Sequence, residues 1–163
     1  MSVFYFDTSA IVKRYIVETG TAWIMALTHP DCGNLPVIAE IALAETTATI
    51  AAKHRVPKGI TRQERDETVT LFLQHCNTDY HLIPTHRIIL DRAILLTQNH
   101  RLRGYDAVHL ASALITNGQL TASGFPPLIF VTADNDLILA AQSEGLSADN
   151  PNLHPDFVGW VER

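Results

Sequence analysis

Charge is scarce in this chain, and positive charge is the scarcer sign. Only 18% of its 163 residues are Asp, Glu, Lys or Arg, where an ordinary globular domain carries about 25%. The hydrophobic share is 47%, which excludes disorder and supplies a sizeable core. There are 12 Lys and Arg against 17 Asp and Glu, a net charge of −5. Passive binders of nucleic acid rely on Lys and Arg contacts to phosphate, so that class is disfavoured. Cysteine is limited to Cys32 and Cys76, with no CxxC pair. A disulfide framework is excluded, and both read as buried or incidental thiols of a reducing cytoplasm. The eight histidines fall into no HExxH or HxH pattern, so zinc is not indicated. No apolar run approaches the roughly 20 residues of a membrane span. The start, MSVFYFDTSA, lacks the basic-then-apolar profile of a signal peptide. A cytoplasmic protein that does not engage a membrane is the expectation. Internal repeats, a Gly-x-Ser-x-Gly elbow, a P-loop and GxGxxG are all missing.

What is present is an alternation of short apolar runs with helical segments. Val3–Phe6, 35–38, 80–84 and 128–131 are strand candidates. Asp7-Thr8-Ser9 caps a helix expected from about Ala10 to Gly20, and Thr21 to Leu27 forms another. Glu40 to His54 is an alanine-rich helix with Ile41, Ala44, Glu45, Ala48 and Ala52 on one face. Thr61 and Glu64 form a capping box opening a helix to about Cys76. His86 to Gln98 is helical. Asp106 starts an apolar helix through Ile115, and Asn117 to Pro127 reads as a turn region. A last helix runs from about Asn135 to Glu144, closed by Gly145. The length suits one domain over residues 1–150, with 151–163 an irregular tail. The pattern is an α/β sandwich around a mostly parallel sheet, whose active site lies at the carboxyl ends of its strands.

Four of the acids are out of place. Asp7 directly follows Val-Phe-Tyr-Phe, and Asp134 stands just beyond Leu-Ile-Phe-Val. Glu45 lies in Ile-Ala-Leu-Ala-Glu, and Asp106 opens a helix apolar almost all round. Each has an ordinary reading: Asp7, Asp106 and Asp134 as helix caps, Glu45 as the partner of a base from another element. Lys13, Arg14, Arg101 and Arg103 are the nearest bases in sequence. The joint pattern brings all four acids toward one sheet edge. At about 4 Å and an effective dielectric near 20, a pair of like charges costs on the order of 4 kcal/mol. Such a cluster persists by sharing protons or by holding a metal, and oxygen-only ligands select Mg²⁺ or Mn²⁺. Metal-assisted phosphodiester hydrolysis suits that donor set.

The ordered set of Asp-Thr-Ser after the first strand, Ala-Glu in an early helix, Tyr-Asp-Ala-Val-His-Leu-Ala-Ser-Ala and Phe-Val-Thr-Ala-Asp-Asn-Asp-Leu resembles the PIN-domain nucleases. Among these it is most similar to the VapC-like toxins of type II toxin–antitoxin pairs. The resemblance covers Phe4 to about Leu146. It implies a PIN-like three-layer α/β/α sandwich over residues 1–150 and an endoribonuclease. Asp7, Glu45, Asp106 and Asp134 are then both its catalytic residues and its Mg²⁺ (or Mn²⁺) ligands. Ser9 and Thr132 match hydroxyls that brace such a site. Asp136 is either an additional acid of the site or a helix-start residue. His109 reads as a packed or supporting histidine rather than a ligand. The resemblance also implies an RNA substrate, a homodimer and a small antitoxin lying in an apolar groove, with residues 9–29 and 40–54 as candidates to line it. Lys53, Arg55, Lys58, Arg62 and Arg65 read as a solvated helix end, with RNA phosphate as the alternative. Two bound Mg²⁺ would bring the net charge from −5 to about −1, so acidity is compatible with an RNA enzyme.

Two other readings stand beside this one. An aspartyl-nucleophile phosphatase or phosphotransfer domain would use Asp7, but position 9 is Ser where Asp-x-Asp is wanted, and the last lysine is Lys58. A non-catalytic PIN-fold binding module would be signalled by loss of one of the four acids, and all four are present.

Overall fold

Val3–Phe6 forms strand β1 and is buried along its whole length, as the centre of a parallel sheet requires. In the computed structural model, which describes residues 1–155, β1 lies between β2 (Leu35–Ala39) and β4 (Ile129–Val131). The edges are β3 (His81–Ile83) and β5 (Ser147–Asp149), and the order β3-β2-β1-β4-β5 is parallel at every pairing. Alternate strand residues point to opposite faces. Tyr5, Val37 and Phe130 enter one core with α5 (Arg87–Asn99), α6 (Gly104–Ala122) and α7 (Asn135–Ser143). Phe4, Phe6, Ile38 and Val131 enter the other, with α1 (Thr8–Ile11), α2 (Thr21–Leu27), α3 (Ile41–Arg55) and α4 (Arg62–Thr78). The result is the expected three-layer α/β/α sandwich.

This topology sets the position of the site. From β1 the chain turns into the α1–α4 layer, and from β4 it turns into the α5–α7 layer. A crevice opens at the carboxyl ends of neighbouring strands whose connections diverge in this way. Asp7 and Asp134 flank it.

Several boundaries differ from the sequence expectation. The first helix is one α-turn, Thr8–Ile11, continued by a 3₁₀ turn, Val12–Arg14. It ends early because Arg14 and Tyr15 turn toward Tyr80, with Arg14 Nη1 donating to its hydroxyl at 2.8 Å. The buried stripe of α3 is Ala42, Thr46 and Ile50, while Ala44, Ala48 and Ala52 are exposed. Alanine on nearly every side leaves too little contrast for periodicity to choose a face. The long helix α6 starts at Gly104 and runs to Ala122, past the expected stop at Ile115. Leu120 packs on the core, and Asn117 Oδ1 accepts from the Leu128 amide at 2.9 Å, which makes continuing the helix worthwhile. Strand β5 went unread because Ser-Ala-Asp has no apolar signature and is held by backbone pairing to β4. In the tail, Pro151–Leu153 forms a 3₁₀ turn, and residues 156–163 lie outside the described residues.

Candidate active site

The Asp7 amide donates to the Val131 carbonyl at 3.1 Å, fixing the residue on the seam between β1 and β4. The residue is 4% exposed. The carboxylate accepts from the Ala10 amide at 2.9 Å, capping α1. It also accepts from Ser9 Oγ at 2.8 and 3.0 Å and from Thr132 Oγ1 at 2.6 Å. Ser9 Oγ in turn accepts from the Ala133 amide at 2.9 Å, and Thr132 Oγ1 from the Asp134 amide at 3.1 Å. Two hydroxyls thus bind the loop after β1 to the loop after β4. Burial pushes the Asp7 carboxyl above its ordinary range, against the pull of His109 and the hydroxyls.

Glu45 comes from α3 in one layer and His109 from α6 in the other. Glu45 Oε2 and His109 Nε2 are 2.7 Å apart. Thr8 Oγ1 donates to the same Oε2 at 2.8 Å and stands 3.3 Å from that nitrogen. The Tyr5 hydroxyl is 3.4 Å from His109 Nδ1. Partial burial opposes ionisation of Glu45. The hydrogen bond and charge of His109, then the Thr8 hydroxyl, outweigh it and hold the carboxyl below its ordinary value.

Asp106 lies in the first turn of α6 but does not cap it. Arg103 is the N-cap residue, and its guanidinium forks onto Asp106, with Nε at 2.8 Å from Oδ2 and Nη2 at 3.3 Å from Oδ1. The same Nη2 stands 3.9 Å from Asp134 Oδ2. Asp134 caps α7, its Oδ1 accepting from the Asp136 and Leu137 amides at 2.9 and 3.2 Å. Asp136 is exposed and, with Arg101, Leu102, Arg103, Asp106 and Asp134, lines an open cavity of about 280 Å³.

The four acids therefore sit at one end of the sheet but in separate attachments: Asp7 to hydroxyls, Glu45 to His109, Asp106 and Asp134 to Arg103. Among the described residues no three His, Cys, Asp or Glu side chains form a group that could enclose a metal ion. The Arg103 guanidinium relieves part of the mutual repulsion that would otherwise have to be met by a metal. The donors still fit a hard divalent cation, being carboxylates and hydroxyls. Asp7 is the telling case: a buried carboxylate whose partners among the described residues are hydroxyls and an amide, with no Lys or Arg in contact.

Sequence reasoning passed over Thr8 and gave Arg103 no role at the site. Thr8 had a signal, lying between two singled-out residues. Arg103 also had one, standing three residues before an acid at a helix start, the spacing at which side chains on a helix meet.

No protein-family model matches the chain. Ribonuclease VapC45 of Mycobacterium tuberculosis (strain CDC 1551 / Oshkosh) is 30% identical over 159 residues, covering 95% of this chain and 100% of that protein. Ribonuclease VapC49 of Mycobacterium tuberculosis (strain ATCC 25618 / H37Rv) matches to the same extent. The fold is similar to that in the crystal structure of FitAcB from Neisseria gonorrhoeae, with TM-score 0.61, 16% identity and coverage of 91% of this chain and 97% of that one. VapBC2 from Rickettsia felis, solved with a DNA fragment from its promoter, gives TM-score 0.60 at 13% identity over 91% and 98% of the two chains.

Proposed function

Because the chain belongs to the VapC ribonuclease family, we propose that it is a Mg²⁺- or Mn²⁺-dependent endoribonuclease and the toxin of a type II toxin–antitoxin pair. One observation carries the reading. Four carboxylates, from two strand ends and from a helix in each layer, stand at the carboxyl end of the sheet around the β1–β4 seam. Asp7, Glu45, Asp106 and Asp134 are the residues that would hold the cation. When bound, it would polarise the phosphodiester and lower the pKa of a water.

The chain's own side chains supply the rest. Ser9 and Thr132 hold the Asp7 carboxylate rigidly on the seam. Glu45, kept ionised by His109 and Thr8, is the carboxylate suited to take the proton of the attacking water. Arg101, exposed and lining the same cavity, brings positive charge to an RNA phosphate in an otherwise acidic molecule. A small antitoxin and a second copy of the chain are the proposed partners.

The test is cleavage of a structured RNA by the purified chain under Mg²⁺ and Mn²⁺ titration. Cleavage is expected only with the metal. It should fall by about 100-fold or more in Asp7→Asn and Asp106→Asn, since each removes a charge needed at the reacting centre. Circular dichroism should show both variants folded. Cleavage in excess chelator, or full activity in either variant, would sink the reading. A short adjacent reading frame encoding a DNA-binding protein would support the toxin role over a housekeeping nuclease.

A further inference from the structure

Among the described residues, Arg103 is the cationic side chain that contacts Asp106, and it does so while largely in water. Its own side chain is 81% exposed, whereas that of Asp106 is 15% exposed. A long exposed arginine normally gains little from holding one carboxylate, because ordering it costs side-chain entropy. Here the fork is bidentate, the geometry in which the pair is strongest, and Asp134 adds charge at 3.9 Å. The backbone aims it as well, since residue 103 is the N-cap of α6 and Asp106 lies one turn on. The guanidinium is held above its ordinary pKa by Asp106 first, with Asp134 and Glu45 contributing. Three of the four acids thus act on one guanidinium.

We propose that Arg103 is a built-in counter-ion that competes with the divalent cation for Asp106 and Asp134, so that metal binding requires the guanidinium to swing out of the cavity. The inference rests on the metal-dependent reading of the site. It differs from it in assigning the metal-free protein a definite closed state. Every metal ion that binds must then work against the population in which Arg103 holds the carboxylates. The apparent affinity is reduced by that fraction. An ion pair of about 1 kcal/mol corresponds to roughly a fivefold weakening. Removing the arginine should therefore tighten metal binding even though it removes an ordered part of the site.

The experiment measures Mn²⁺ binding to the intact chain directly, by electron paramagnetic resonance of the free ion, without RNA. Wild type, Arg103→Ala and Arg62→Ala are compared. Arg62 is remote from these acids and is paired only loosely with Asp66 at 4.0 Å, so its variant reproduces the change in net charge alone. Arg103→Ala is expected to bind Mn²⁺ about three- to tenfold more tightly, and Arg62→Ala within about twofold of wild type. A second readout follows the arginine itself. The Arg103 Nε–H resonance, assigned by its loss in Arg103→Lys, should move to the position of a solvated arginine as Mg²⁺ saturates the wild type. If wild type binds Mn²⁺ and Arg103→Ala binds it equally or more weakly, the proposal is overturned while the metal-dependent reading stands. An Arg103 resonance unmoved at saturating Mg²⁺ overturns it as well. If neither protein binds either metal, both readings fall.

Discussion

His75 occupies a second, partly buried polar cluster, away from the four site acids. Arg14 donates to the Tyr80 hydroxyl at 2.8 Å, Tyr80 and Tyr15 share a hydrogen bond of 2.5 Å, and the Tyr15 hydroxyl lies 2.8 Å from His75 Nδ1. The four side chains form one continuous hydrogen-bonded run from the guanidinium to the imidazole. Burial pushes the Tyr80 hydroxyl up to about 12, so the cluster holds its protons through the neutral range. Burial and the Arg14 charge lower the pKa of His75 below its ordinary 6.5, and Asp79 only partly opposes them. The unfolded chain thus takes up a proton at a pH where the folded one does not. Stability contributed by His75 is complete above about 6.5 and is lost as pH falls below it. His75→Gln should cost about 1 kcal/mol at pH 7.5. That difference should shrink at pH 5.5, as read by urea denaturation at the two pH values, and a constant difference would refute it. Residues of this kind show where sequence reading stops. Asp7 and Asp134 stood out because a charge directly follows an apolar strand. His109 was legible only as a packed or supporting histidine and Arg103 only as a nearby base, because the carboxylates they meet are chosen by the fold.

At the scale of elements, local signals worked wherever the chemistry was local. The Thr61–Glu64 capping box is formed in both directions, at 3.1 and 2.7 Å, and α2 has the bounds its composition suggested. The start of α2 also carries a tertiary constraint. Gly20 sits at φ +88°, and a Cβ there would lie 2.3 Å from the Pro151 carbonyl oxygen. The tail turn is further pinned by His154, stacked on Trp23 at 4.1 Å and hydrogen-bonded to Asp149 at 3.0 Å. Gly20→Ala should therefore destabilise the chain by roughly 1–3 kcal/mol, through left-handed strain plus a clash with backbone that has no side chain to swing aside. Equilibrium urea unfolding gives the value, and an unchanged midpoint would contradict the close approach. Where elements were misread, the deciding contact was distant. The last turns of α6 continue because Leu120 finds the core, and β5 exists because β4 offers it a ladder.

At the scale of the whole molecule, one helix is not fully accounted for by its own sandwich. The outer surface of α5 exposes Ile88, Leu90, Ile94 and Leu95, with Arg87 and Asp91 paired at 2.7 Å among them. Single exposed aliphatics are ordinary, but four on one short helix form a patch. A strip carrying its own acid and base within an apolar surface is self-complementary, as a twofold interface must be. The proposed pairing of two copies is assigned to this helix. Sedimentation should give a dimer for the chain alone and a monomer for Ile94→Asp/Leu95→Asp. A monomeric wild type counts against pairing through this face.

By itself, the sequence determined the class of the fold and singled out four acids that stand beyond or within apolar segments. Strand periodicity, helix caps and the break from apolar strand to carboxylate are all written in neighbouring residues. It left open how those acids are neutralised. Summed charge suggested that a cluster of carboxylates must share protons or bind metal. The tertiary structure supplied a third route, with Arg103 and His109 set against them and hydroxyls closing the β1–β4 seam. It also decided which face of α3 is buried and where α6 ends. The physical reason is one of range. Backbone conformation responds to nearest neighbours, whereas a buried charge responds to whatever the fold brings within a few ångströms, and most of that lies far along the chain.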